Sequence, residues 1–296
     1  MDDIILALLP EGQRTVFPFL VRIFCACLAT GSVPAIWCQV KVVFTSQPGR
    51  SSYTGPRDLR PTSLTSFLVT TMETLVDRYL RDGTLDLMPL HPNQHAYQVG
   101  RFVEKALHDL VVKNEVLDQK ETALGIFLDT EGAFNYNSFN STCTAPGRHG
   151  VGHTVVLWVK AILEACLATA TLNESFMSTA VSRGCPHGGM LSPLLWCLVE
   201  ELRVRLKEGG VYTQSYADDI SLLTVEKFPN TLSELMQQAL HTVQIWMNCW
   251  LIPATLTLSY LQGKGNFLVS LNLFSLDLLC TILYWPSVFG WSQILG

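Results

Sequence analysis

The sequence has little charge at its C-terminal end and no surplus of basic residues. Only two charged side chains, Lys264 and Asp277, occur in the last 46 of the 296 residues. Over the whole chain 20 Lys and Arg stand against 25 Asp and Glu, which gives a formal net charge of -5. Proteins that bind nucleic acid by bulk charge usually carry a basic surplus, so the composition argues against that mode of binding.

The sequence also lacks a CxxC pair and a basic N-terminal leader. Its nine cysteines are scattered among apolar neighbours, which is typical of reduced, mostly buried thiols. Asp2 and Asp3 stand where the basic region of a signal peptide would lie. We therefore expect an intracellular protein of the cytoplasm, the nucleus or both.

One C-terminal stretch, residues 267–284, is apolar enough to be considered as a membrane span. It contains Asn272 and Asp277, and polar side chains are costly in a bilayer. No stable membrane association is expected, and a protein anchored by this stretch is kept as an alternative.

The apolar content of 48% is ample for a sizeable core. Helical spacing of apolar residues predicts helices over 4–30, 66–81, 102–119, 154–167, 189–207 and 230–250. Short β-branched or apolar runs predict strands near 41–46 and 121–129 and hairpins over 168–184 and 211–225, with loop at 55–61 and irregular chain at 132–152. The order of these elements predicts an α+β fold, a mixed sheet with helices on one face.

Three acidic residues mark two of the predicted strands. Asp218 and Asp219 form the tip of an apolar hairpin in the tetrapeptide YADD, and Asp129 ends a buried strand. Three converging carboxylates suit Mg²⁺, which takes the rest of its shell from water and phosphate oxygens. Two such ions can clamp the attacking and leaving oxygens of a phosphoryl displacement. The alternative is a solvated acidic turn at 218–219 and a strand-end cap at Asp129.

A second possible metal site consists of His149, His153, Cys143 and Cys166. Structural zinc needs four ligands at closed tetrahedral spacing, and these residues match no such framework. We do not expect zinc here.

Three motifs in order resemble the reverse transcriptase of non-LTR retrotransposons, LINE-like elements of the Jockey type. They are FLDTEGAF at 127–134, RGCPHGGMLSPLLW at 183–196 and YADD at 216–219. Upstream, DLRPTSLTSF and HPNQHAYQVGRFVEKALHDLV resemble segments of the fingers of these enzymes. The resemblance covers nearly all of residues 1–250. It implies a right-hand polymerase with a fingers-like region over 1–118 and a palm with the metal site over 119–250. We expect no thumb, because the sequence after residue 250 departs from the family.

The resemblance also implies a function and a site. The function is RNA-directed DNA polymerisation by two-metal nucleotidyl transfer, with an RNA template, a DNA primer, dNTPs and two Mg²⁺ ions that Mn²⁺ can replace. Asp129 and Asp218 would hold both metals, Asp219 would support them, and the backbone of Thr130 would face the metal or triphosphate. The implied nucleotide-binding residues are Arg60, Phe134, His187 and Gly188, and those implied at template and primer are Gly184, Pro186, Gly189 and Tyr216. No protein partner is predicted.

The sequence departs from the family pattern at several positions. His187 stands where the family has Gln, and Asn135 stands where it has Asp. An imidazole cannot copy the paired donor and acceptor of an amide, so a contact to nucleotide or template is weakened. None of the departures removes a predicted metal ligand. Because contacts to nucleotide or template are weakened, the alternative function is a catalytically inert or domesticated remnant with at most weak RNA binding.

Residues 251–296 form an apolar C-terminal segment that does not resemble the family. A family-like basic peptide, NPSNTNTVLFTRKRKF, can be back-translated with chosen synonymous codons so that reading one base later gives residues 252–266 letter for letter. Our hypothesis is that the chain from about Leu251 is translated out of frame, and we expect this segment to be poorly ordered. The coding DNA tests it, because the enzyme should continue in the neighbouring frame just downstream.

Overall fold

A computed structural model describes residues 9–46, 59–117, 122–130, 134, 137–172, 175–186, 188–198, 201–250 and 255–262. The helices are α1 (Leu9–Thr30), α2 (Phe67–Tyr79), α3 (Leu85–Leu87), α4 (Val103–Leu117), α5 (Phe139–Arg148), α6 (His153–Glu164), α7 (Ser192–Cys197), α8 (Glu201–Glu208) and α9 (Pro229–Trp250). The strands are β1 (Gln39–Ser46), β2 (Leu59–Leu64), β3 (Thr122–Asp129), β4 (Leu167–Leu172), β5 (Ser175–Ala180), β6 (Tyr212–Tyr216), β7 (Asp219–Glu226) and β8 (Thr255–Gln262).

The chain forms two compact units. The first contains Met1–Leu90 and Gly132–Val199, and the second contains His91–Glu131 and Glu200–Gly296. Segment 132–199 joins the N-terminal unit because β4 pairs in parallel with β1, from Gln39 opposite Leu167 to Val42 opposite Ala170. The predicted boundaries at residues 118 and 250 divide the chain by function and stay a prediction.

The first unit has a four-stranded sheet in the order β2-β1-β4-β5. This sheet is mixed, since β1 and β4 are parallel and the other two pairs are antiparallel. Helix α6 contributes the fully buried Trp158 together with Val159, Ile162 and Leu163. These side chains recur at helical spacing, so one face of α6 supplies much of this core.

The second unit has a four-stranded sheet in the order β6-β7-β3-β8. All three of its strand pairs are antiparallel. Helix α9 packs on β7 and β3 and buries Leu232, Met236, Ala239 and Val243. The i, i+4, i+7, i+11 spacing of these four residues is that of an amphipathic helix, which explains why the segment forms one long helix over the sheet.

The prediction of an α+β fold with a mixed sheet is confirmed in the first unit. The sheet that carries the acidic residues differs, because it is antiparallel throughout. Two further predictions are wrong. The predicted loop before residue 61 gives way to β2 from Leu59, which pairs with β1, and the irregular stretch 132–152 contains helix α5.

Smaller corrections concern helix faces and ends. Helical spacing groups Leu75 with the apolar residues Met72 and Val76 of α2, yet Leu75 is 51% exposed, whereas Glu73 on that helix is 4% exposed. The predicted helix over 189–207 is two helices, α7 and α8. Strand β8, Thr255–Gln262, pairs with β3, and the expectation of poor order for residues 251–296 stays a prediction. Residues 263–296, with the candidate span 267–284, lie outside the described residues.

Two further observations concern the cysteines and helix α1. Among the seven cysteines that the structure describes, all with free thiols, five are buried, as predicted for most of them. In the part of the chain that the structure describes, one helix segment has the length and composition to cross a membrane, Gly12–Thr30 of α1. Core helices and signal sequences meet the same criterion, so the membrane prediction stays a prediction.

Candidate active site

The acidic positions lie at one end of the antiparallel sheet. Strand β6 ends at Tyr216, β7 begins at Asp219, and Ala217 and Asp218 form the turn between them. Asp219 is paired with Tyr216 on β6 and with Asp129 on β3. Directly opposed residues of antiparallel strands have Cβ atoms only about 5 Å apart. The register therefore brings positions 129, 218 and 219 to the same edge, although the Asp129 side chain lies outside the described part of the molecule.

The solvent access of these residues suits a hydrated cation. Asp218 is half-buried and Asp219 is exposed, and Mg²⁺ usually keeps several of its waters. Like charges at directly opposed positions destabilise a sheet, so a cation bound here would stabilise this edge. No group of three or more His, Cys, Asp or Glu side chains arranged for a metal occurs among the described residues, a set that excludes the Asp129 carboxylate.

Thr130 follows Asp129 directly and is 1% exposed. Its hydroxyl oxygen is buried without a hydrogen-bond partner among the residues that the structure describes. A buried hydroxyl without a partner costs free energy. A partner at this edge of the sheet, such as a ligand oxygen or a water, would remove that cost.

The turn of the YADD motif holds a strained residue. Ala217 has a φ of 54°, in the left-handed region that side-chain-bearing residues seldom adopt. Strain of this kind typically amounts to about 1 kcal/mol or more and persists where the surrounding structure enforces it. Here the paired strands β6 and β7 enforce it, and Asp218 is presented at the tip.

The strands behind the turn are held firmly. Ile126 of β3 is fully buried, and the outer edge of β6 is paired rather than open. The His95 backbone N–H donates to the Ser215 carbonyl at 2.9 Å, and the Ser215 N–H donates to the Asn93 carbonyl at 2.9 Å. The side chain of Arg203, also buried, donates to the Ser215 hydroxyl at 2.8 Å. The end of the sheet that carries residues 129, 218 and 219, which we call the acidic edge, is thus built on a rigid sheet.

The glycine-rich segment 183–191 lies in the first unit, and its backbone is held by hydrogen bonds. The Gly184 N–H donates to the Asn137 carbonyl at 2.6 Å, and the Cys185 N–H donates to the Phe134 carbonyl at 2.6 Å. Gly188 has a φ of 122°, and a Cβ added there would lie 2.7 Å from the Ser63 carbonyl oxygen. Glycine is required at this position because β2 approaches its backbone so closely.

Glu73 of α2 reaches the same segment. Its Oε2 accepts a hydrogen bond from the Met190 backbone N–H at 2.9 Å, and the side chains around it include Val159, Ile162 and Leu195. Burial raises the pKa of the Glu73 carboxyl to about 7, against the opposing effect of the Met190 and Leu191 N–H groups. The sequence analysis missed this residue. The sequence signal that could have revealed Glu73 was its position next to Met72, on the apolar face of a predicted helix.

The other residues of the first unit that are predicted to contact nucleotide, template or primer have these surroundings. Phe134 is half-buried, and its ring centroid lies 6.1 Å from that of Trp196, with the planes tilted by 45°. Arg60 is exposed on β2 opposite Thr45. Pro186 is half-buried, and its carbonyl accepts the Gly189 N–H at 2.9 Å. His187 lies outside the described residues.

The motifs that form this site belong to a stretch that matches a known protein family. Residues 48–254 match the family described as reverse transcriptase (RNA-dependent DNA polymerase), which is well over half of the chain. The chain belongs to the reverse transcriptase family.

Individual relatives are mobile-element proteins of Drosophila melanogaster. The chain is 25% identical over 258 residues to the RNA-directed DNA polymerase from mobile element jockey, covering 84% of this chain and 28% of the relative. It is 25% identical over 252 residues to the probable RNA-directed DNA polymerase from transposon BS, covering 79% and 26%. It is 23% identical over 235 residues to the putative 115 kDa protein in type-1 retrotransposable element R1DM, covering 79% and 22%.

These relatives confirm the resemblance to the Jockey-type reverse transcriptase domain. The chain spans less than a third of their length. The family match ends at residue 254, close to the start of the C-terminal segment of residues 251–296. The hypothesis that this segment is out of frame stays a prediction.

The predicted site residues of this reverse transcriptase domain belong to two units. Positions 129, 130, 216, 218 and 219 lie together in the second unit, and Arg60, Phe134 and the glycine-rich segment lie in the first. Tyr216 is half-buried opposite Asp219. The contact of Gly188 with Ser63 gives that glycine a role in packing within the protein, and its contact with nucleotide stays a prediction.

The buried Glu73 predicts a pH dependence of stability. The pKa near 7 exceeds the ordinary value of 4.5, so between these values the folded chain holds a proton that the unfolded chain releases. The free energy of unfolding should therefore fall by about 3 kcal/mol as pH rises through this window. Glu73→Gln should remove that contribution, which urea denaturation at pH 4.5 and pH 7.5 measures. An equal pH dependence in wild type and variant would contradict the assignment.

Proposed function

We propose that this chain carries out RNA-directed DNA synthesis by two-metal nucleotidyl transfer, as the polymerase domain of a non-LTR retrotransposon protein. The observation that carries the proposal is the register of β3 and β7, with Asp129 opposite Asp219 and Asp218 in the adjoining turn. Membership of the reverse transcriptase family supports the reaction class, and the jockey and BS relatives are named as RNA-directed DNA polymerases. An RNA template, a DNA primer and dNTPs are the proposed substrates.

The proposed roles at the acidic edge follow from ligand chemistry. Asp129 and Asp218 would hold two divalent ions, Mg²⁺ or Mn²⁺, with Asp219 in support and the Thr130 backbone facing the metal or triphosphate. Bound divalent ions would supply charge stabilisation at the attacking and leaving oxygens. The exposure of Asp219 and the half-burial of Asp218 leave room for water and triphosphate oxygens. The rigid sheet keeps the carboxylates in place, which reduces the reorganisation needed during reaction.

The proposed roles in nucleotide recognition fall to the first unit. Arg60 would pair with triphosphate oxygens, a task for which an exposed guanidinium is suited. Phe134 would stack under the sugar and exclude a 2′-hydroxyl, and its packing on Trp196 limits its movement. Gly188 and His187 would also contact the nucleotide, while Gly184, Pro186, Gly189 and Tyr216 would face template and primer.

Primer extension tests the proposal. The full chain would be incubated with poly(rA), oligo(dT), dTTP and either Mg²⁺ or Mn²⁺. We expect incorporation that requires the RNA template and a divalent ion, with products only a few nucleotides long. Short products are expected because holding a duplex against salt requires several phosphate contacts, and the chain carries a net charge of -5. Absence of any template-dependent incorporation would contradict the proposal.

The negative charge also favours a second candidate function, an inert remnant that binds RNA weakly. The two candidates differ in their response to metal. An intact site should be stabilised by Mn²⁺, by about 2.7 kcal/mol at a concentration one hundred times the Kd, whereas an inert remnant should not respond.

We further propose that the protein acts in the cytoplasm or nucleus without stable membrane association.

Thermal unfolding with and without Mn²⁺ measures the stabilisation of the protein by the metal ion. The melting temperature of the wild-type protein is expected to rise by several degrees, and Asp218→Asn should abolish the rise. Asp82→Asn is the matched control, because Asp82 is an exposed carboxylate in the short π-helix Leu80–Thr84 that follows α2. An equal rise in all three proteins would assign the effect to nonspecific binding, and no rise in the wild type would favour the inert remnant.

A further inference from the structure

Glu73 is a buried carboxylate to which the proposed nucleotidyl transfer gives no role. It is 4% exposed, and glutamate is seldom buried unless it is paired or hydrogen-bonded. Its position on α2 is fixed by buried neighbours on the same helix, Val69, Met72 and Val76. The carboxylate is therefore held by a rigid element and not by a loop.

The partner of Glu73 is the main chain of the glycine-rich segment. Its Oε2 accepts the Met190 backbone N–H at 2.9 Å. Its Oε1 lies so near Gly189 that a Cβ added to that glycine would be 3.3 Å away. Met190 itself is 49% exposed. The buried carboxylate thus contacts the backbone of a surface turn from its inner side.

The rest of the turn is held from two other directions. The Ser192 hydroxyl donates to the Pro186 carbonyl at 3.1 Å, which closes the turn across its base. Gly188 packs against the Ser63 carbonyl. With Glu73 removed, the turn would keep both of these contacts but lose the one that fixes Met190.

We propose that Glu73 is a positioning residue, which sets the backbone of residues 188–191 through its hydrogen bond from the Met190 N–H. This inference rests on the proposed function for its consequence, because Gly188, Pro186 and Gly189 are there assigned to nucleotide, template and primer. Loss of the contact would leave the chemistry at Asp129 and Asp218 intact and would weaken the binding of the incoming nucleotide. The expected effect is on KM for dNTP more than on kcat.

Two substitutions separate the hydrogen bond from the charge. Glu73→Gln keeps a side-chain oxygen that can accept the Met190 N–H, whereas Glu73→Ala removes the acceptor. Asp82→Asn is again the control for loss of an exposed acidic charge. Removal of the acceptor leaves the Met190 N–H without its partner, which corresponds to about a tenfold effect or more.

Hydrogen–deuterium exchange of the full-length protein tests the contact without reference to activity. The peptide that contains Met190 and Leu191 should exchange about tenfold faster in Glu73→Ala than in wild type. The Glu73→Gln and Asp82→Asn variants should match wild type, and peptides of the β6–β7 hairpin should be unchanged in all four proteins. Equal exchange at Met190 in Glu73→Ala and wild type would overturn the proposal. Faster exchange in every peptide of the first unit would also overturn it, because Glu73 would then support the fold generally.

Steady-state dTTP incorporation on poly(rA) and oligo(dT) tests the consequence. We expect the KM for dTTP to rise about tenfold or more in Glu73→Ala, with kcat changed by less than about threefold, and Glu73→Gln to restore the wild-type value. An unchanged KM in an active Glu73→Ala protein would overturn the positioning role. If the wild-type protein is inactive while the exchange result holds, the proposed function fails and the contact of Glu73 with the turn stands.

Discussion

Replacing Asp218 by Asn is expected to lower the rate of single-nucleotide incorporation by about a thousandfold. The substitution keeps the size of the side chain and removes one negative oxygen ligand from the edge of the sheet. Bound divalent ions stabilise charge on the reacting oxygens, so a lost ligand acts on the transition state. Incorporation of one dTMP under single-turnover conditions measures this effect and avoids any dependence on processivity.

Asp82→Asn is the control for this experiment, since it removes an exposed carboxylate remote in sequence from the motifs. It should retain the wild-type rate. The fold of the Asp218→Asn protein should be unchanged, because Asp218 lies in a half-exposed turn. A folded Asp218→Asn protein that extends primers at the wild-type rate would remove this carboxylate from the mechanism.

The second large effect is expected at Gly188. A Cβ added there would lie 2.7 Å from the Ser63 carbonyl oxygen, and the φ of 122° is one that side-chain-bearing residues rarely adopt. Steric overlap and backbone strain each cost about 1 to 3 kcal/mol. Gly188→Ala should therefore lower the free energy of unfolding by about 3 kcal/mol, which thermal or urea denaturation measures.

Two other glycines separate the causes of this effect. Gly210 has a φ of 77° with no atom within 4 Å of an added Cβ, so Gly210→Ala should show the strain alone. Gly147 lies in helix α5, also with open space around an added Cβ, so Gly147→Ala should be neutral or stabilising. A Gly188→Ala protein as stable as wild type would show that β2 does not press on this turn.

The acidic edge was largely predictable because its signals are local in sequence. Alternation of apolar and polar residues over 212–226 fixes both strands and their turn, and the apolar run before Asp129 predicts β3. The pairing of β3 with β7 is a long-range contact, and periodicity alone does not predict it. The resemblance supplied this pairing indirectly, by implying that Asp129 and Asp218 share one metal site.

The missed elements have physical reasons. Proline and glycine near residues 55–61 predict a loop, yet β2 is an edge strand, where Pro61 can be accommodated because a missing N–H is tolerated there. Helix α5 has few strongly apolar residues and contains Pro146 and Gly147, which are typical of irregular chain. It begins at a local cap in which the Ser138 hydroxyl accepts the Ser141 N–H at 3.1 Å, and such a cap is a weak signal beside proline and glycine.

Glu73 was missed for a different reason. An acidic residue within an amphipathic helix is ordinarily placed on the solvated face, and only the contact with Met190 explains its burial.

The parallel pairing of β1 with β4 joins residues about 130 positions apart. Contacts of this range depend on the assembled sheet, which sequence patterns do not specify.

A crystal structure of the full chain soaked with Mn²⁺ would test most directly whether the acidic edge is a metal site. The account predicts anomalous scattering peaks at the end of the β6–β7 hairpin, about 2 Å from carboxylate oxygens of Asp129 and Asp218. The peaks should disappear in the Asp218→Asn protein. Crystals of the folded wild-type protein with Mn²⁺ bound only elsewhere on the surface would contradict the account.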